Sequence, residues 1–421
     1  MKHTKLIITL IFAFVCFNIF GQYKTEIKNP QIKSLKVSRT GWETSYPVIN
    51  VLEPESSITI NFDLMESEMH QITYSLYHCD AEWNVSDLSA NEYIDGFESN
   101  YLNDYDYSRS TNVDYVNYNL QLPNEDIQMR LSGNYAVVFY DEDIEDTIAV
   151  ACFSIVEPIA NIFGTVSGTS GGGRTSKKQQ LNFTIDHSQI AISQPIVESK
   201  VVVMKNGSRL HRVIENTPTY IHTNRLVYEL HPKMTFAGGD EYRVFETSSV
   251  RYSGQGILNI GYFSPYYHVT LRPEEIRQLQ HYEYDDDING KFLIRRTESG
   301  SENSSTEADY TIVHFSIPME EPILDGKIYV GGEFVYDAID KSTQLTYNTE
   351  NKAYELHLVL KQGYYNYRFY KVPSYNKELH SAPIEKDAYQ TENDYQVFFY
   401  YCELGERYDR LVGYDVINTL K

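Results

Sequence analysis

The sequence predicts an all-β protein built from tandem β-sandwich domains, immunoglobulin-like or early-set-like, with little helix. Apolar and polar residues alternate with period 2 along almost the whole chain, for example over residues 58–64, and this pattern is typical of half-buried strands. Turn signals such as Asn206-Gly207 separate the short strands. The 421 residues, 42% of them hydrophobic, are too many for one sandwich and suffice for about three.

The first 21 residues are predicted to be a cleaved signal peptide. Lys2 and Lys5 precede an apolar run, Leu6–Phe20, which is too short for a transmembrane helix and has the length of a signal-peptide core. We expect cleavage before Gln22. Cys16 does not suit lipidation, because bulky apolar residues flank it. No later segment is apolar for about 18 residues, so we expect an exported, soluble protein without direct membrane insertion.

Strand and turn signals divide the mature chain into three predicted domains, at residues 22–158, 159–270 and 271–421. Pro158 closes the first domain, because proline cannot donate to a strand ladder. The third domain is the one predicted to be early-set-like. It contains the polar stretch Glu298–Glu307, which we expect to form a mobile loop.

Charge and cysteine content exclude several classes of protein. The net charge of −22 and the pI near 4.9 repel nucleic acid phosphates, so no nucleic-acid partner is expected. Cleavage leaves Cys79, Cys152 and Cys402, an odd number that is too small for a disulfide framework. Whether any two of them pair is left open.

The motifs that suggest chemistry each fail on a required residue. Residues 168–175 nearly match a phosphate-binding loop, but Arg174 stands in place of the lysine and strand-like sequence follows. Asp285–Gly290 opens like an EF-hand loop, but Arg296 occupies the position of the bidentate glutamate, which leaves a hairpin turn, with adventitious Ca²⁺ binding as the alternative. Neighbours in the stretch His78-Cys79-Asp80 point to opposite faces of a strand, so they cannot bind one metal ion together without distant partners. The sequence therefore predicts no catalytic, cofactor-binding or metal-binding residue.

A cluster of aromatic residues stands out within a polar stretch at residues 91–120. Aromatic side chains in such a long polar segment either fold back as a lid on the sandwich or present a contact surface to a partner. Both interpretations stay open. The candidate partner-contact residues are Tyr93, Phe97, Tyr101, Tyr105, Tyr107, Tyr115 and Tyr118.

Short blocks of residues follow one another in a specific order along the chain. They are Tyr77-His78-Cys79-Asp80, Glu82-Trp83, Tyr93-Ile94-Asp95-Gly96-Phe97, Asp104-Tyr105-Asp106-Tyr107-Ser108, Leu122-Pro123-Asn124, Leu131-Ser132-Gly133-Asn134-Tyr135 and Tyr408-Asp409-Arg410-Leu411-Val412-Gly413. That order resembles the plug protein family of the type IX secretion system of Bacteroidota. The resemblance covers essentially the mature chain and is most specific over residues 77–135.

The resemblance implies a non-catalytic role in protein secretion. Plug proteins of this family are periplasmic and bind the large outer-membrane β-barrel translocon of the system. They occlude its periplasmic end when no cargo is passing, and one copy per pore is expected. We hypothesise that residues 91–120 supply part of the contact with the barrel, because aromatic residues are dense there.

A second function class rests on another part of the chain. Residues 325–371 look like a carbohydrate-binding sandwich of the early-set type, with Gly331-Gly332-Glu333-Phe334 at the start. The alternative function is therefore an exported carbohydrate-binding protein. Glycan-binding relatives of this fold carry exposed tryptophan platforms, and this chain has no tryptophan after Trp83. A glycoside hydrolase or esterase has no marked catalytic residues in its favour.

Overall fold

The computed structural model of the chain describes residues 22–420, except for 54, 171–172, 175, 275, 278–279, 299–302, 376–378 and 382–383. The predicted signal peptide lies outside the described residues. The described chain is nearly all β, with 49% strand and 5% helix, in several mainly antiparallel sheets. This confirms the predicted all-β, tandem-sandwich fold class.

The first sandwich contains one short helix and the first strands of the chain. They are β1 (Glu26–Ile27), β2 (Ile32–Arg39), β3 (Val48–Asn50), β4 (Ile58–Leu64), β5 (Ile72–Cys79), α1 (Ala90–Tyr93), β6 (Ile94–Gly96), β7 (Ser99–Tyr101), β8 (Tyr105–Tyr107), β9 (Val116–Leu122), β10 (Ile127–Met129), β11 (Gly133–Asp141) and β12 (Asp146–Val156). One sheet has the order β1-β12-β11-β5-β7, with β3 parallel to β12, and the other has the order β2-β4-β9-β8. Alternate residues of the two sheets form one buried apolar core between them.

The second sandwich begins after a short connection. Its elements in this part of the chain are β13 (Asn161–Ser167), β14 (Thr169–Ser170), β15 (Gly173–Arg174), β16 (Lys178–Asp186), α2 (Pro195–Glu198), β17 (Ser199–Lys205), β18 (Ser208–Glu215), β19 (Tyr220–His222), β20 (Arg225–Tyr228), a 3₁₀ turn (Pro232–Met234) and β21 (Thr235–Ala237). Asn206 and Gly207 both have positive φ, 52° and 71°, and so form the predicted hairpin turn between β17 and β18.

The third sandwich follows, and the last two strands come after it. The elements are β22 (Arg243–Glu246), β23 (Ile257–Phe263), β24 (Tyr266–Leu271), β25 (Phe292–Ile294), α3 (Ser304–Glu307), β26 (Tyr310–Pro318), β27 (Gly326–Gly331), a 3₁₀ turn (Glu333–Val335), β28 (Thr346–Asn348), β29 (Ala353–Lys361), β30 (Gly363–Pro373), β31 (His380–Ser381), β32 (Asp394–Tyr401) and β33 (Arg410–Asn418). In the third sandwich, β22, β25, β27 and β31 pair with β30, and the facing sheet has the order β23-β24-β26-β29-β28.

The last two strands return to the second sandwich. Strand β32 pairs with β17, from Ser199 opposite Tyr401 to Lys205 opposite Tyr395, and the sheet order is β18-β17-β32-β33. Their apolar side chains join the core of β13, β16 and β20. The predicted boundary at 270/271 thus separates strands that are hydrogen-bonded neighbours, because the third sandwich is inserted between β21 and β32. The division of the chain into three separate domains stays a prediction.

The predicted mobile loop at Glu298–Glu307 contains a short helix. Helix α3 occupies Ser304–Glu307, and the Asn303 side chain caps it by accepting a hydrogen bond from the Ser305 backbone. Residues 299–302 lie outside the described part of the chain.

The first and second sandwiches meet through an apolar contact. A buried cluster joins the side chains of β3, β12 and the loop after β5 to those of β17, β32 and β33, and hydrophobic burial holds the two units together. We call this the apolar contact, and its residues are Val48, Ala81, Val156, Val202, Phe398, Tyr400 and Leu411.

The first and third sandwiches meet through buried charges. Lys361 Nζ lies 2.6 Å from Asp63 Oδ2, and both side chains are 1% exposed. The Tyr310 hydroxyl donates to Asp63 Oδ2 at 2.5 Å, and Asn117 Nδ2 donates to Asp63 Oδ1 at 2.6 Å. The ammonium group also donates to Ser305 O at 2.6 Å. We call this the polar contact, in which the carboxylate and the ammonium group are both paired and hydrogen-bonded as buried charges require.

Candidate contact surface at residues 91–120

The aromatic segment closes one side of the first sandwich. Strand β7 pairs with β5 at the end of one sheet, and β8 pairs with β9 at the end of the other. Residues 99–107 therefore cross from one sheet edge to the opposite one. In the described chain the outer edges of β7 and β8 are unpaired, so backbone and side-chain groups are both presented to solvent there.

Three of the seven candidate residues are core residues. Tyr93 donates its hydroxyl to Leu76 O at 3.0 Å, and Tyr118 donates its hydroxyl to His70 O at 2.9 Å. Tyr115 donates to Ala308 O of the third sandwich at 2.9 Å and lies under the Lys361 ammonium group. All three rings are buried, which gives them the lid role and removes them from any direct contact surface.

The other candidates face solvent to different degrees. Phe97, Tyr101 and Tyr107 are 76%, 51% and 48% exposed. Tyr105 is half-buried, packs against the core and lies 5.8 Å from the Tyr118 ring centroid. The buried rings fit the lid interpretation, and a contact role for the exposed rings stays a prediction. Phe97, Tyr101 and Tyr107 are the aromatic side chains that a partner can reach.

Two exposed ion pairs involve residues close in sequence to these exposed rings. Asp95 and Asp106 are exposed and lie 3.2 Å and 3.8 Å from Arg130 and Arg109, and such exposed ion pairs contribute little to stability. Aromatic rings beside hydrated charges bury apolar area and keep polar edges available for hydrogen bonds. This composition suits a polar, hydrated partner surface.

A second exposed aromatic region lies on the third sandwich, and none of its residues is among the predicted contact residues. Strands β23 and β24 form a hairpin around Ser264-Pro265, and Tyr262 and Phe263 are exposed. Their rings pack against Tyr267 and His268 across the hairpin. The signal in the sequence is the run of aromatic residues on both sides of a serine-proline turn.

One group of side chains has the proximity of metal ligands. Nitrogen and oxygen atoms of His70, Asp141 and Asp143 lie within 4.8 Å of one another. The His70 ring nitrogens are already engaged, Nδ1 at 2.7 Å from Asp141 and Nε2 at 3.0 Å from Glu66. Burial lowers the pKa of His70, but hydrogen bonding and the nearby carboxylates raise it overall. Because both ring nitrogens already lie within hydrogen-bond distance of carboxylates, we assign this group to hydrogen bonding.

The motifs considered for chemistry have structural roles. In residues 168–175, the described parts form the short strands β14 and β15, and β16 follows where a phosphate-binding loop needs a helix. Asp287 accepts hydrogen bonds from the Tyr242 and Asn289 backbone, which fixes the turn. Phe334, at the start of the stretch that looks like a carbohydrate-binding domain, is part of the core of the third sandwich.

The three cysteines among the described residues are unpaired. Cys79 and Cys152 are buried in one small apolar cluster, and Cys402 is half-buried. Burial raises the pKa of each of the three thiols, which disfavours the reactive thiolate.

Three of the sequence blocks, at 77–80, 131–135 and 408–413, meet at the buried His78. His78 Nε2 lies 3.1 Å from Ser132 O, and the His78 ring packs edge-on against Tyr135 and Tyr408. Gly133 has φ +132°, and a Cβ there would lie 2.5 Å from His78 Nε2, so no larger residue fits without displacing the imidazole. These blocks are therefore conformational requirements of the first sandwich and of its junction with the C-terminal strands.

Comparison with known families decides the assignment. A family model described as the type 9 secretion system plug protein 1st domain matches residues 32–157, the range of the first sandwich from β2 to the end of β12. The first sandwich therefore belongs to the type IX secretion system plug protein family. The match contains His78, Gly133 and the aromatic segment, and it supports a role connected with type IX secretion.

Solved structures extend the comparison beyond the first sandwich. The crystal structure of a hypothetical protein from Parabacteroides merdae is 38% identical, has a TM-score of 0.91 and covers 94% of this chain and 100% of its own. The C-terminal domain of the Streptococcus pyogenes antigen I/II-family protein AspA is 9% identical with a TM-score of 0.16, over 92% of this chain and 100% of its own, which is too low to indicate a shared fold. No curated protein matches the chain. Among the described residues, no helix has the length and apolarity needed to cross a membrane.

Proposed function

We propose that this protein is a periplasmic plug, which binds and occludes the periplasmic end of the type IX outer-membrane translocon when cargo is not being transported. The observation that carries the proposal is the match of residues 32–157 to the plug family. In this proposal residues 1–21 direct export, and the protein acts by binding, without catalysis. One copy serves one pore.

The way in which the three sandwiches are joined suits a protein that occludes a pore. A stopper has to keep its shape against a wide lumen, and β-sandwiches joined by large buried contacts move little relative to one another. The apolar contact and the polar contact tie the first sandwich to both of the others. The inserted third sandwich is also anchored at both of its ends in the second, which restricts its movement.

The exposed rings of the aromatic segment supply the proposed contact with the barrel. Phe97, Tyr101 and Tyr107 are available to a partner, and tyrosine can hydrogen-bond the polar interior of a large barrel through its hydroxyl. The net charge of −22 favours solubility of the unbound protein through repulsion between copies.

The test is affinity purification of the tagged protein from mild-detergent extracts of the native host. We expect a large outer-membrane barrel to co-purify in near-equal amount, identified by mass spectrometry. Isolation of the wild-type protein without such a barrel would reject the plug proposal. Loss of the protein is further expected to make host cells permeable to large antibiotics that the outer membrane normally excludes.

A matched pair of triple variants tests the contact surface. F97A/Y101A/Y107A removes the exposed rings of the aromatic segment, and Y252A/Y262A/F263A removes one exposed phenylalanine and two exposed tyrosines from the third sandwich. We expect only the first variant to lose the barrel, with both retaining the far-ultraviolet circular dichroism of the wild type. The reverse pattern would assign the contact to the hairpin of β23 and β24.

A further inference from the structure

A cavity lies where the three sandwiches meet. Its volume is about 330 Å³, within the range of about 300–1,000 Å³ that is usual for small-molecule sites. Each sandwich contributes large apolar side chains to the wall. They are Tyr46 and Trp83 from the first, Met204 and Phe398 from the second, and Tyr336 and Tyr370 from the third.

A buried amide in the wall has an unused acceptor. Gln396 on β32 is 1% exposed, and its Nε2 donates to the Tyr414 hydroxyl at 3.1 Å. Its Oε1 is buried and has no partner among the described residues. A buried carbonyl oxygen without a donor is costly, and Gln396 lines this cavity. A ligand with an O–H or N–H group would satisfy it.

A guanidinium group in the same wall has an unused donor. Arg209 on β18 packs over the Trp83 ring at 4.8 Å and donates one N–H to Tyr23 O. Its Nη2 is buried and has no hydrogen-bond partner in the described chain. Burial lowers the pKa of Arg209, which reflects the cost of a cation held away from water.

The carboxylates near the Arg209 guanidinium group already have other hydrogen-bond or ion-pair partners. Asp337 accepts from the Ser208 hydroxyl at 2.8 Å and from the Arg209 backbone at 2.7 Å. Glu333 pairs with Lys36. Lys291 adds a second cation to the wall, donating to Thr44 O at 2.6 Å beneath the Tyr46 ring. The wall thus places the unpartnered Nη2 of Arg209 among apolar rings, and the carboxylates that also line it, Glu333 and Asp337, already have partners.

We propose that this cavity binds a small amphipathic carboxylate, with its acid group on Arg209, a hydroxyl or amide N–H on Gln396, and its apolar body among the aromatic rings. Arginine is the side chain best suited to carboxylate recognition. The proposal does not rest on the plug function. A ligand at this position contacts all three sandwiches at once, so binding stabilises their assembled arrangement over any in which they separate.

The probes are decanoate, its neutral analogue decanol, and the fluorescent anion anilinonaphthalenesulfonate, used with the full mature chain. We expect the fluorescent probe to bind saturably at one site. Decanoate is expected to displace it about tenfold more effectively than decanol, because only decanoate offers Arg209 a charge. Equal displacement by the two compounds, or no saturable binding, would overturn the proposal.

Three variants assign the binding to this cavity. R209M is expected to abolish the preference for decanoate over decanol, and R212M, on the same strand but without a place in the cavity wall, is expected to retain it. L210W fills the cavity and should prevent binding of all three probes. Retention of the preference in R209M, or of binding in L210W, would place the site elsewhere. If R209M does not fold, the comparison of decanoate with decanol in the wild-type protein still decides.

Discussion

The polar contact and the apolar contact fasten the same sandwich to its two neighbours by opposite means. At the apolar contact, Val202 and Leu411 are buried against Val48 and Val156, and burial of hydrocarbon provides the attraction without fixing a unique geometry. At the polar contact, Asp63 and Lys361 are both withdrawn from water, which costs free energy that direct pairing and hydrogen bonds offset.

The difference indicates which substitutions destabilise each contact. An apolar contact loses stability in proportion to the side-chain volume removed. A buried ion pair tolerates no loss of one partner, because the other charge is left uncompensated, but its directional hydrogen bonds specify a single orientation of the third sandwich on the first. We therefore interpret the apolar contact as the source of adhesion and the polar contact as the source of alignment.

Removal of one buried charge is expected to have the largest effect. K361M leaves the Asp63 carboxylate buried without its cation and should destabilise the protein by about 3–5 kcal/mol. Urea unfolding followed by tyrosine fluorescence measures the change. The matched control K352M removes an exposed lysine paired with Glu320 and should leave the urea midpoint nearly unchanged, because exposed ion pairs contribute little to stability. Equal effects of the two variants would show that the buried ion pair contributes no more to stability than an exposed one.

Truncation of one apolar side chain tests the other contact. L411A removes a fully buried side chain and should cost about 2–5 kcal/mol through lost burial and the cavity that remains. Its effect should not depend on salt, and the urea midpoint at low and high ionic strength checks this. A strong salt dependence would mean that nearby Asp409 and Lys200 carry the contact.

Removal of single hydroxyl groups grades the polar contact. Y310F deletes a donor to the Asp63 carboxylate and should cost about 1.5–3 kcal/mol, whereas Y115F deletes a donor to a neutral carbonyl and should cost about 0.5–1.5 kcal/mol. The same urea titration ranks the two variants. A reversed order would mean that the carboxylate is satisfied by its other partners.

Glu241 gives the smallest predicted effect, a dependence on pH. It lies in the connection between β21 and β22, and it accepts hydrogen bonds from the Tyr282 hydroxyl and the Glu392 backbone. Burial raises the pKa of Glu241 from 4.5 to about 7, so the folded protein binds a proton there more tightly than the unfolded chain does. Its contribution to stability is complete below pH 4.5 and is lost as the pH rises to about 7. E241Q should therefore flatten the decline in melting temperature over this interval. An unchanged pH profile would contradict the assignment.

The fold class was predictable because its signals are local. Alternation over residues 58–64 gives β4, and Asn206-Gly207 gives the hairpin of β17 and β18. The insertion of the third sandwich was not predictable in this way. Asn206 and Asn393 are hydrogen-bonded although they are 187 residues apart, and no local pattern encodes a pairing of that separation.

The aromatic segment shows the same limit at the level of single residues. Tyr118 follows the buried alternation of Val116 and Leu120 in β9, so its core position could be read from the sequence. Tyr115 is covered by the third sandwich, and its burial depends on a tertiary contact that the surrounding residues do not announce. The exposure of Phe97 depends in the same way on which elements pack nearby.

The return of the last two strands to the second sandwich sets an order of assembly for a chain that is delivered from its amino terminus. Strand β17 has an unpaired edge until β32 is available, and an open edge strand invites pairing with other chains. A polypeptide delivered amino-terminus first can complete its first sandwich early, but the second must wait until the third has also passed. The last part of the chain to arrive thus closes a unit begun much earlier, and the interval before it arrives is when the protein most needs protection from aggregation.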